Sequence, residues 1–292
     1  KKGEFSLVNL EKKRKVALVT GTSSGFGLLI SIELAKAGFY VYATMRDLAQ
    51  KESLLQLARK EKVEDSLEIL QLDVTQPSSI QQAVNHIIDS SGRVNVLVNN
   101  AGYAQAGFVE EISLDEWQKQ FDTNFFGMVS MIREVVPFMR EARSGRIINM
   151  SSISGLMGFP ALTPYVSSKF ALEGFSESLR FELAPFGIHV ILVEPGSYQT
   201  NIWTKGKRMA GHHNQGKDSP YRPFLDKIEQ YIKDSEKSHG DPMEVARKVV
   251  QVATRPNPGF RYPIGKGIGL LLLSKNILPW RLREKILLSI LK

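Results

Sequence analysis

The stretch Thr20-Gly-Thr-Ser-Ser-Gly-Phe-Gly27 decides how the chain folds. It follows the β-branched run Val16-Ala-Leu-Val-Thr20 and opens a helical pattern over residues 25–37, so its glycines fall at a turn from strand to helix. Glycine permits a tight turn and leaves the backbone open to a ligand. The N–H groups of such a loop, together with the start of the helix, can hold a pyrophosphate. The alternative is an ordinary strand-to-helix turn.

Short apolar runs alternate with longer helical patterns from this stretch to residue 264. We predict strands at 16–20, 39–44, 67–72, 94–98, 146–150, 189–193 and 260–264, and helices at 25–37, 78–89, 113–139, 165–184 and 242–254. Most of the strand runs are continuously apolar, as is typical of parallel strands that are covered on both faces. The alternation predicts one doubly wound α/β domain, with a parallel sheet of about seven strands flanked by helices.

Three segments differ from this rhythm. Residues 1–14 are predicted to be a flexible leader or a cloning remnant, which leaves 15–264 as the folded domain. Residues 196–219 are polar and rich in glycine directly after a strand end, which predicts a substrate lid. Residues 265–292 form a basic C-terminal tail. This tail could pack on the domain, on a second subunit or on a membrane surface.

Composition and charge exclude several classes of protein. The chain of 292 residues has no cysteine, which excludes disulfides, thiolate metal sites and a Cys nucleophile. Its formal charge of +8 is uneven: residues 1–15 carry +4, residues 261–292 carry +6, and the segment between them carries −2. Nucleic-acid-binding domains place their basic residues on the folded core, so we expect no nucleic-acid partner. We also expect no metal site and, without an apolar run long enough for a membrane span, a cytoplasmic protein.

Tyr165 and Lys169 lie four residues apart in a predicted helix, hence on the same face. A positive charge beside a phenol favours its ionised form, which would bring a tyrosine closer to working pH as a general acid or base. Ser152 follows the end of a predicted strand and could donate a hydrogen bond to a substrate carbonyl oxygen. The alternative for the Tyr–Lys spacing is a pair on a helix surface.

Five motifs share the order and spacing of one known family. The glycine loop, Asn99-Asn-Ala-Gly102, Ser152, the Tyr165/Lys169 pair and Pro195-Gly196 resemble the short-chain dehydrogenase/reductase family over about residues 16–200. The stretches Tyr42-Ala-Thr-Met-Arg-Asp47 and Ser152-Ile-Ser-Gly-Leu-Met-Gly-Phe-Pro160 are similar to the branch that contains 17β-hydroxysteroid and retinol dehydrogenases. The resemblance implies a Rossmann-type fold and the interconversion of a ketone or aldehyde with an alcohol.

The resemblance implies four catalytic residues. Tyr165 would be the general acid in reduction, and Lys169 would lower its pKa and bind the nicotinamide ribose. Ser152 would hold the substrate oxygen. Asn124 would hold a relay water, and asparagine is a poor helix former, which suggests a use beyond local structure. The alternative for Asn124 is a buried side chain that bonds to backbone.

Cofactor contacts are implied in the same way. They fall on Gly21, Ser23, Ser24, Gly25, Phe26, Gly27, Arg46, Asp73, Val74, Asn100, Ala101, Gly102, Tyr165, Lys169, Pro195, Gly196 and Thr200. Asp73 could equally begin a turn or helix, and the Asn-Gly segment is also a typical turn.

Cofactor choice depends on the end of the second predicted strand. An acidic residue there binds the ribose 2′-hydroxyl of NAD, whereas an arginine accommodates the 2′-phosphate of NADP. Thr44 and Met45 occupy the expected place of the acid, and Arg46 follows them. The sequence therefore favours NADP(H) over NAD(H), although Asp47 lies close by.

We expect an NADP(H)-dependent oxidoreductase that acts on an apolar substrate of steroid or retinoid type. One alternative enzyme is a 3-oxoacyl-carrier-protein reductase, but the basic charge lies at the ends of the chain rather than in the body. An alternative of another class is a non-catalytic NADP(H)-sensing protein on the same fold. From the family resemblance we expect a homodimer or homotetramer, and the tail allows peripheral membrane contact.

Overall fold

The computed structural model describes residues 14–198, 207–209, 219–235 and 239–289. The strands are β1 (Val16–Thr20), β2 (Tyr40–Met45), β3 (Leu67–Gln71), β4 (Val96–Asn99), β5 (Ala104–Ala106), β6 (Gly145–Met150), β7 (Ile188–Pro195), β8 (Lys207–Met209) and β9 (Arg261–Ile264). Seven of them form one parallel sheet in the order β3-β2-β1-β4-β6-β7-β9. The predicted doubly wound α/β fold with about seven strands is confirmed.

Helices cover both faces of this sheet. They are α1 (Gly25–Lys36), α2 (Glu52–Glu61), α3 (Pro77–Ser91), α4 (Leu114–Phe121), α5 (Gly127–Glu141), α6 (Thr163–Leu183), α7 (Arg222–Ser235), α8 (Pro242–Thr254), α9 (Ile268–Ile277) and α10 (Trp280–Leu288). The core on one face joins the sheet to α1, α2 and α8, and the core on the other joins it to α3, α5 and α6. The central strands are therefore buried on both sides, which explains their continuous apolar sequences.

The helix predicted over residues 113–139 is interrupted. Between α4 and α5, residues Asp122–Phe126 form one turn of π-helix, which contains Asn124. Such a turn adds a residue to the backbone repeat, and side-chain periodicity alone does not show it. The prediction of one continuous helix was wrong at this position.

Part of the predicted lid is ordered as a strand. Residues 207–209 form β8, which pairs in parallel with β5, so this piece of segment 196–219 is not a loop. The sequence analysis also missed α2, α7 and both tail helices, α9 and α10. Residues 1–13, Thr200 and most of the rest of the predicted lid lie outside the described residues.

Candidate active site

A cleft of about 850 Å³ lies at the carboxyl ends of the parallel strands. Parallel α/β sheets bind their ligands at this edge, next to the point where strand order reverses between β1 and β4. The predicted residues that line the cleft are Gly21, Ser23, Ser24, Gly25, Phe26, Arg46, Asp73, Val74, Asn100, Ala101, Gly102, Asn124, Ser152, Tyr165, Lys169, Pro195 and Gly196.

The glycine loop is packed tightly against the end of β4. Gly21 has φ +70°, and a Cβ placed on it would lie 2.8 Å from the Cα of Ala101. Gly27 is not among the residues that line the cleft, and its contact with the cofactor stays a prediction. A Cβ on Gly27 would collide with the carbonyl oxygen of Gly21 and the side chain of Asn100. Gly27 therefore allows helix α1 to approach the loop, while Gly21 leaves the backbone open.

Asn100 and Thr20 hold the loop in this shape. The Asn100 Nδ2 donates to the carbonyl oxygens of Thr20 (2.9 Å) and Gly21 (3.0 Å). The Thr20 Oγ1 accepts from the backbone N–H groups of Asn100 and Ala101, both at 3.0 Å. Segment 99–102 is therefore both a wall of the cleft and a brace for the glycine loop.

A positively charged side chain follows the end of β2. Thr44 and Met45 are buried, and Arg46, the next residue, is exposed at the rim of the cleft. Asp47 uses Oδ1 to accept from the backbone N of Ala49 (2.9 Å) and Oδ2 to accept from the Gln50 side chain (3.2 Å). Both carboxylate oxygens of Asp47, the residue that follows Arg46, thus stabilise the local turn.

Asp73 and Val74 follow β3 and line the cleft. The Asp73 Oδ1 accepts from the backbone N (2.9 Å) and the hydroxyl (2.8 Å) of Thr75. Asp73 is therefore a turn residue, as its alternative interpretation proposed, and it also borders the cleft. Val74 packs against Gly127 at the start of α5, where a Cβ would collide with it.

Tyr165 and Ser152 meet at the floor of the cleft. Ser152 ends the segment after β6, where its Oγ accepts from the backbone N of Ser154 at 3.1 Å. Burial raises the pKa of Tyr165 to about 12, and a hydrogen bond with Ser152 acts in the opposite direction. The net shift is upward, opposite to the expected lowering, because desolvation of the buried phenol is the largest effect. The contribution of Lys169 to this pKa stays a prediction.

Lys169 lies one helical turn after Tyr165 and is buried. Its Nζ donates to the carbonyl oxygen of Met150 at 2.7 Å and lies 5.8 Å from the centre of the Tyr165 ring. Burial lowers the pKa of Lys169 to about 8, and the negative charge of Glu173 opposes this shift. The lysine side chain is thus fixed under the phenol by the end of β6.

Asn124 is buried in the π turn and borders the cleft. Its Oδ1 accepts from the backbone N of Tyr103 (3.1 Å), and its Nδ2 donates to the carbonyl oxygen of the same residue (3.0 Å). These hydrogen bonds to the backbone are the ones that the alternative interpretation of Asn124 predicted. Asn124 therefore fixes the segment after β4, and the relay water stays a prediction.

Pro195 and Gly196 form the wall after β7. The backbone N of Gly196 donates to the carbonyl oxygen of Ile264 at 2.9 Å. A Cβ on Gly196 would lie 2.7 Å from the Ile268 side chain at the start of α9. The C-terminal tail thus begins against the cleft wall.

The sequence analysis missed a buried charge cluster behind Lys169. Glu173 accepts hydrogen bonds from the Ser151 hydroxyl and from Nη1 of Arg261. The same Nη1 donates to Oε1 of Glu194 at 2.9 Å. The spacing of four residues between Lys169 and Glu173 was a signal for this cluster, but the partners from β7 and β9 required the fold.

The open glycine loop, the braced wall and the buried Ser–Tyr–Lys set define a dinucleotide-binding α/β protein with acid–base groups at the cofactor cleft. Residues 15–210 match the short chain dehydrogenase family, and the chain belongs to this family. It is an oxidoreductase of the short-chain dehydrogenase/reductase type, and the branch predicted from the sequence is confirmed by the relatives it matches.

Two curated relatives illustrate the similarity. The uncharacterized oxidoreductase YusZ of Bacillus subtilis is 46% identical over 276 residues, covering 94% of this chain and 97% of the relative. Human retinol dehydrogenase 8 is 44% identical over 199 residues, covering 67% of this chain and 62% of the relative.

Solved structures share the fold. ElxO with NADP bound is 27% identical with a TM-score of 0.73, covering 87% of this chain and 98% of ElxO. A short-chain dehydrogenase/reductase from Burkholderia phymatum in complex with NAD is 24% identical with a TM-score of 0.75, covering 90% of this chain and 93% of that one. The latter similarity concerns the fold alone.

Proposed function

We propose that the protein is an NADP(H)-dependent oxidoreductase that interconverts a ketone or aldehyde with an alcohol on an apolar substrate of steroid or retinoid type. The observation that carries this proposal is the juxtaposition of Ser152, Tyr165 and Lys169 on the floor of the cleft that the glycine loop borders. A bound reduced nicotinamide would supply the hydride to the carbonyl carbon.

Ser152 and Tyr165 act on the substrate oxygen. Their hydroxyls are hydrogen-bonded to each other, so one carbonyl oxygen can accept from both. The raised pKa keeps the phenol of Tyr165 protonated at neutral pH. A neutral phenol is the form that donates a proton to the developing alkoxide, so this state of the site is suited to reduction.

Lys169 stabilises the phenolate that remains after proton donation. Its ammonium is held by the Met150 carbonyl oxygen near the Tyr165 ring. With a pKa of about 8, Lys169 is mainly charged at neutral pH. In a buried site, opposite charges attract more strongly than in water, which assists the transfer.

The NADP(H) preference is supported by the end of β2. The exposed guanidinium of Arg46 borders the cleft, and both Asp47 oxygens are engaged in the local turn. An arginine pairs with a 2′-phosphate, and an acid that is already bonded is a weaker partner for a 2′-hydroxyl.

The test is a substrate screen with both cofactors. Steroid ketones, retinal, a 3-oxoacyl thioester on an acyl carrier and simple ketones are each incubated with NADPH or NADH, and the loss of nicotinamide absorbance is followed. The proposal expects the highest kcat/KM for an apolar ketone or aldehyde with NADPH. A preference for the carrier-bound thioester would support the reductase alternative. Tight NADPH binding without turnover would support the sensor.

We propose a homodimer or homotetramer in solution. Large apolar side chains are exposed on helices α4 and α6 and on the π turn, at Leu114, Phe126, Phe170 and Phe181. Light scattering coupled to size exclusion tests this, and a monomer at micromolar concentration would contradict it.

We also propose that the tail contacts an anionic membrane surface, while the protein itself is cytoplasmic. In the described part of the chain, no helix is long and apolar enough to cross a membrane. Helix α10 buries none of its residues. The exposed large apolar residues of the two tail helices are Leu270, Leu273, Ile277, Trp280, Leu282, Ile286 and Leu288.

The positive charge of the tail favours anionic lipid, rather than the tail of a second subunit, as its partner. Residues 265–289 contain five Lys or Arg and one Glu, a net charge of +4. Pairing the same surface across a two-fold axis would place these like charges together, whereas anionic lipid attracts them. Ile268, at the start of helix α9, lies against Gly196, so the tail begins beside the cleft wall.

Vesicle sedimentation tests the tail. Phosphatidylserine-containing vesicles should retain the protein at low salt, and neutral vesicles should not. Trp280→Ser with Ile286→Ser should abolish retention, while Phe181→Ser, at a phenylalanine on α6 that is more exposed than either tail residue, should not. Equal binding to neutral vesicles would contradict an anionic lipid surface as the partner of the tail. The same holds if the Trp280→Ser/Ile286→Ser variant dissociates a dimer but still binds the vesicles.

A further inference from the structure

A row of charged side chains runs along helix α6 from the cleft to the surface. Lys169, Glu173 and Glu177 follow Tyr165 at intervals of four residues, so neighbours in the row lie one turn apart. Lys169 and Glu173 are buried, and the Glu177 side chain is 57% exposed. The row therefore connects the candidate general acid to solvent through two buried charges.

Glu173 is held by two other elements. From the segment after β6, the hydroxyl of Ser151, next to Ser152, donates to its carboxylate. From β9, the guanidinium of Arg261 pairs with it and also reaches Glu177 at 3.2 Å. The carboxylate of Glu173 is thus fixed in place one turn behind Lys169.

Glu194 on β7 completes the cluster. It is fully buried and accepts from Nη1 of Arg261 at 2.9 Å. Two buried carboxyl groups share one guanidinium here, and like charges at close range do not both ionise readily. Burial and the neighbouring Glu173 raise the pKa of Glu194 to about 7, so Glu194 takes up a proton more readily than an ordinary carboxyl.

We propose that Glu173 is a positioning residue that keeps Lys169 charged and oriented beneath Tyr165, and that Ser151 and Arg261 hold Glu173 in that role. The inference rests on the proposed function, because it assigns a purpose to the charge on Lys169. The described groups that face Glu173 are Lys169 and Glu177 on its own helix, Ser151 after β6, Glu194 on β7 and Arg261 on β9.

The sign of the effect follows from the charges. Burial favours neutral Lys169, and the Glu173 carboxylate opposes this. Replacing Glu173 by glutamine keeps the shape and removes the charge, so Lys169 loses its proton at lower pH. Replacing Glu194 by glutamine removes a competing carboxyl from Arg261, which leaves Glu173 at least as ionised as before.

The test compares glutamine substitutions at the three glutamates that pair with Arg261. Profiles of kcat/KM against pH are measured in the reductive direction for Glu173→Gln, Glu194→Gln and the exposed control Glu177→Gln. Only Glu173→Gln should move the basic limb to lower pH, by about one unit, which lowers the rate on that limb about tenfold. A structural role alone would lower Tm in both buried variants and leave the limb in place, and that result would overturn the proposal.

A direct titration separates this inference from the proposed function. In protein labelled with ¹³C at the lysine ε-carbon, the Lys169 signal is assigned with Lys169→Arg and titrated by NMR. Its pKa should fall in Glu173→Gln and not in Glu194→Gln. An unchanged Lys169 pKa in Glu173→Gln overturns the inference even if the enzyme is active. If the proposed function were wrong, turnover would be absent, but the pKa of Lys169 would still fall in Glu173→Gln.

Discussion

On the nucleotide side of the cleft, the loop between β1 and α1 is shaped by backbone contacts and by neutral hydrogen bonds that the Thr20 hydroxyl accepts and the Asn100 amide donates. On the catalytic side, the same cleft is bordered by Tyr165 and Lys169, two buried titratable groups whose pKa values are shifted by burial. The nucleotide side thus depends on the shape of the backbone, and the catalytic side depends on the charges of buried side chains. Substitutions should therefore alter cofactor binding on one side, and rate and pH dependence on the other.

Lys169→Met should have the largest effect on turnover among the tests of this contrast. It removes the charge that stabilises the phenolate, and we expect kcat to fall about 100-fold or more. Because burial lowers the pKa of Lys169, the folded state disfavours its charged form, and Glu173 keeps Arg261 as a partner in the variant. The free energy of unfolding should therefore be unchanged or higher. Steady-state kinetics and thermal unfolding check both outcomes. A large loss of stability with only a small change in kcat would assign Lys169 to the structure instead.

Gly21→Ala should act on the other side of the cleft. It places a Cβ against the backbone of Ala101 at φ +70°, so the free energy of unfolding should fall by about 2–4 kcal/mol, and the Kd for NADPH should rise at least about tenfold. Gly38→Ala is the control, since Gly38 has φ +89° with open space around it and tests strain alone. Calorimetry measures both quantities. Equal effects at the two glycines would show that the close contact is unimportant.

Arg46→Ala should weaken only one cofactor. The loss of a charge-assisted contact of about 1.5–3 kcal/mol corresponds to a fall in kcat/KM for NADPH of about 10- to 100-fold. The value for NADH should stay the same. Arg59→Ala, on α2 and outside the cleft lining, is the matched control. A parallel loss for both cofactors, or a wild-type preference for NADH, would reject Arg46 as the selecting residue.

Glu194→Gln should produce the smallest change, in the pH dependence of stability. Folding raises the pKa of Glu194 from 4.5 to about 7, so the folded state binds this proton more tightly than the unfolded state. The resulting stability is present below pH 4.5 and is lost as pH rises through about 7. The Tm of the variant minus that of wild type should rise by a few degrees between pH 5 and pH 8. A constant difference would show that Glu194 does not titrate in this interval.

The nucleotide side was largely predictable from sequence because its determinants are local. The glycine loop, the strand ends and the Asn99–Gly102 segment are contiguous in the chain, and their order fixed their place at one edge of a parallel sheet. Spacing does not show that Gly27 packs against Gly21 and Asn100 rather than lining the cleft, and its contact with the cofactor stays a prediction.

The catalytic side was predictable only in its residue identities. Burial of Tyr165 reverses the expected pKa shift, and the π turn gives Asn124 backbone partners that helical periodicity does not show. Arg261 lies on β9, within the predicted strand 260–264, but the sequence does not show that it joins the buried carboxyl groups of α6 and β7. Long-range contacts and desolvation decide these features, and neither is visible in a single sequence.

The role of Tyr165 as proton donor is tested most directly by two measurements on the Tyr165→Phe variant. These are the Kd for NADPH and the kcat with the best apolar ketone. Removing the hydroxyl takes away the proton donor and leaves the glycine loop and its braces in place. We predict an NADPH Kd close to that of wild type and a kcat lower by about 100- to 10,000-fold. A Tyr165→Phe protein that keeps wild-type kcat would contradict the assignment of Tyr165 as the group that transfers the proton.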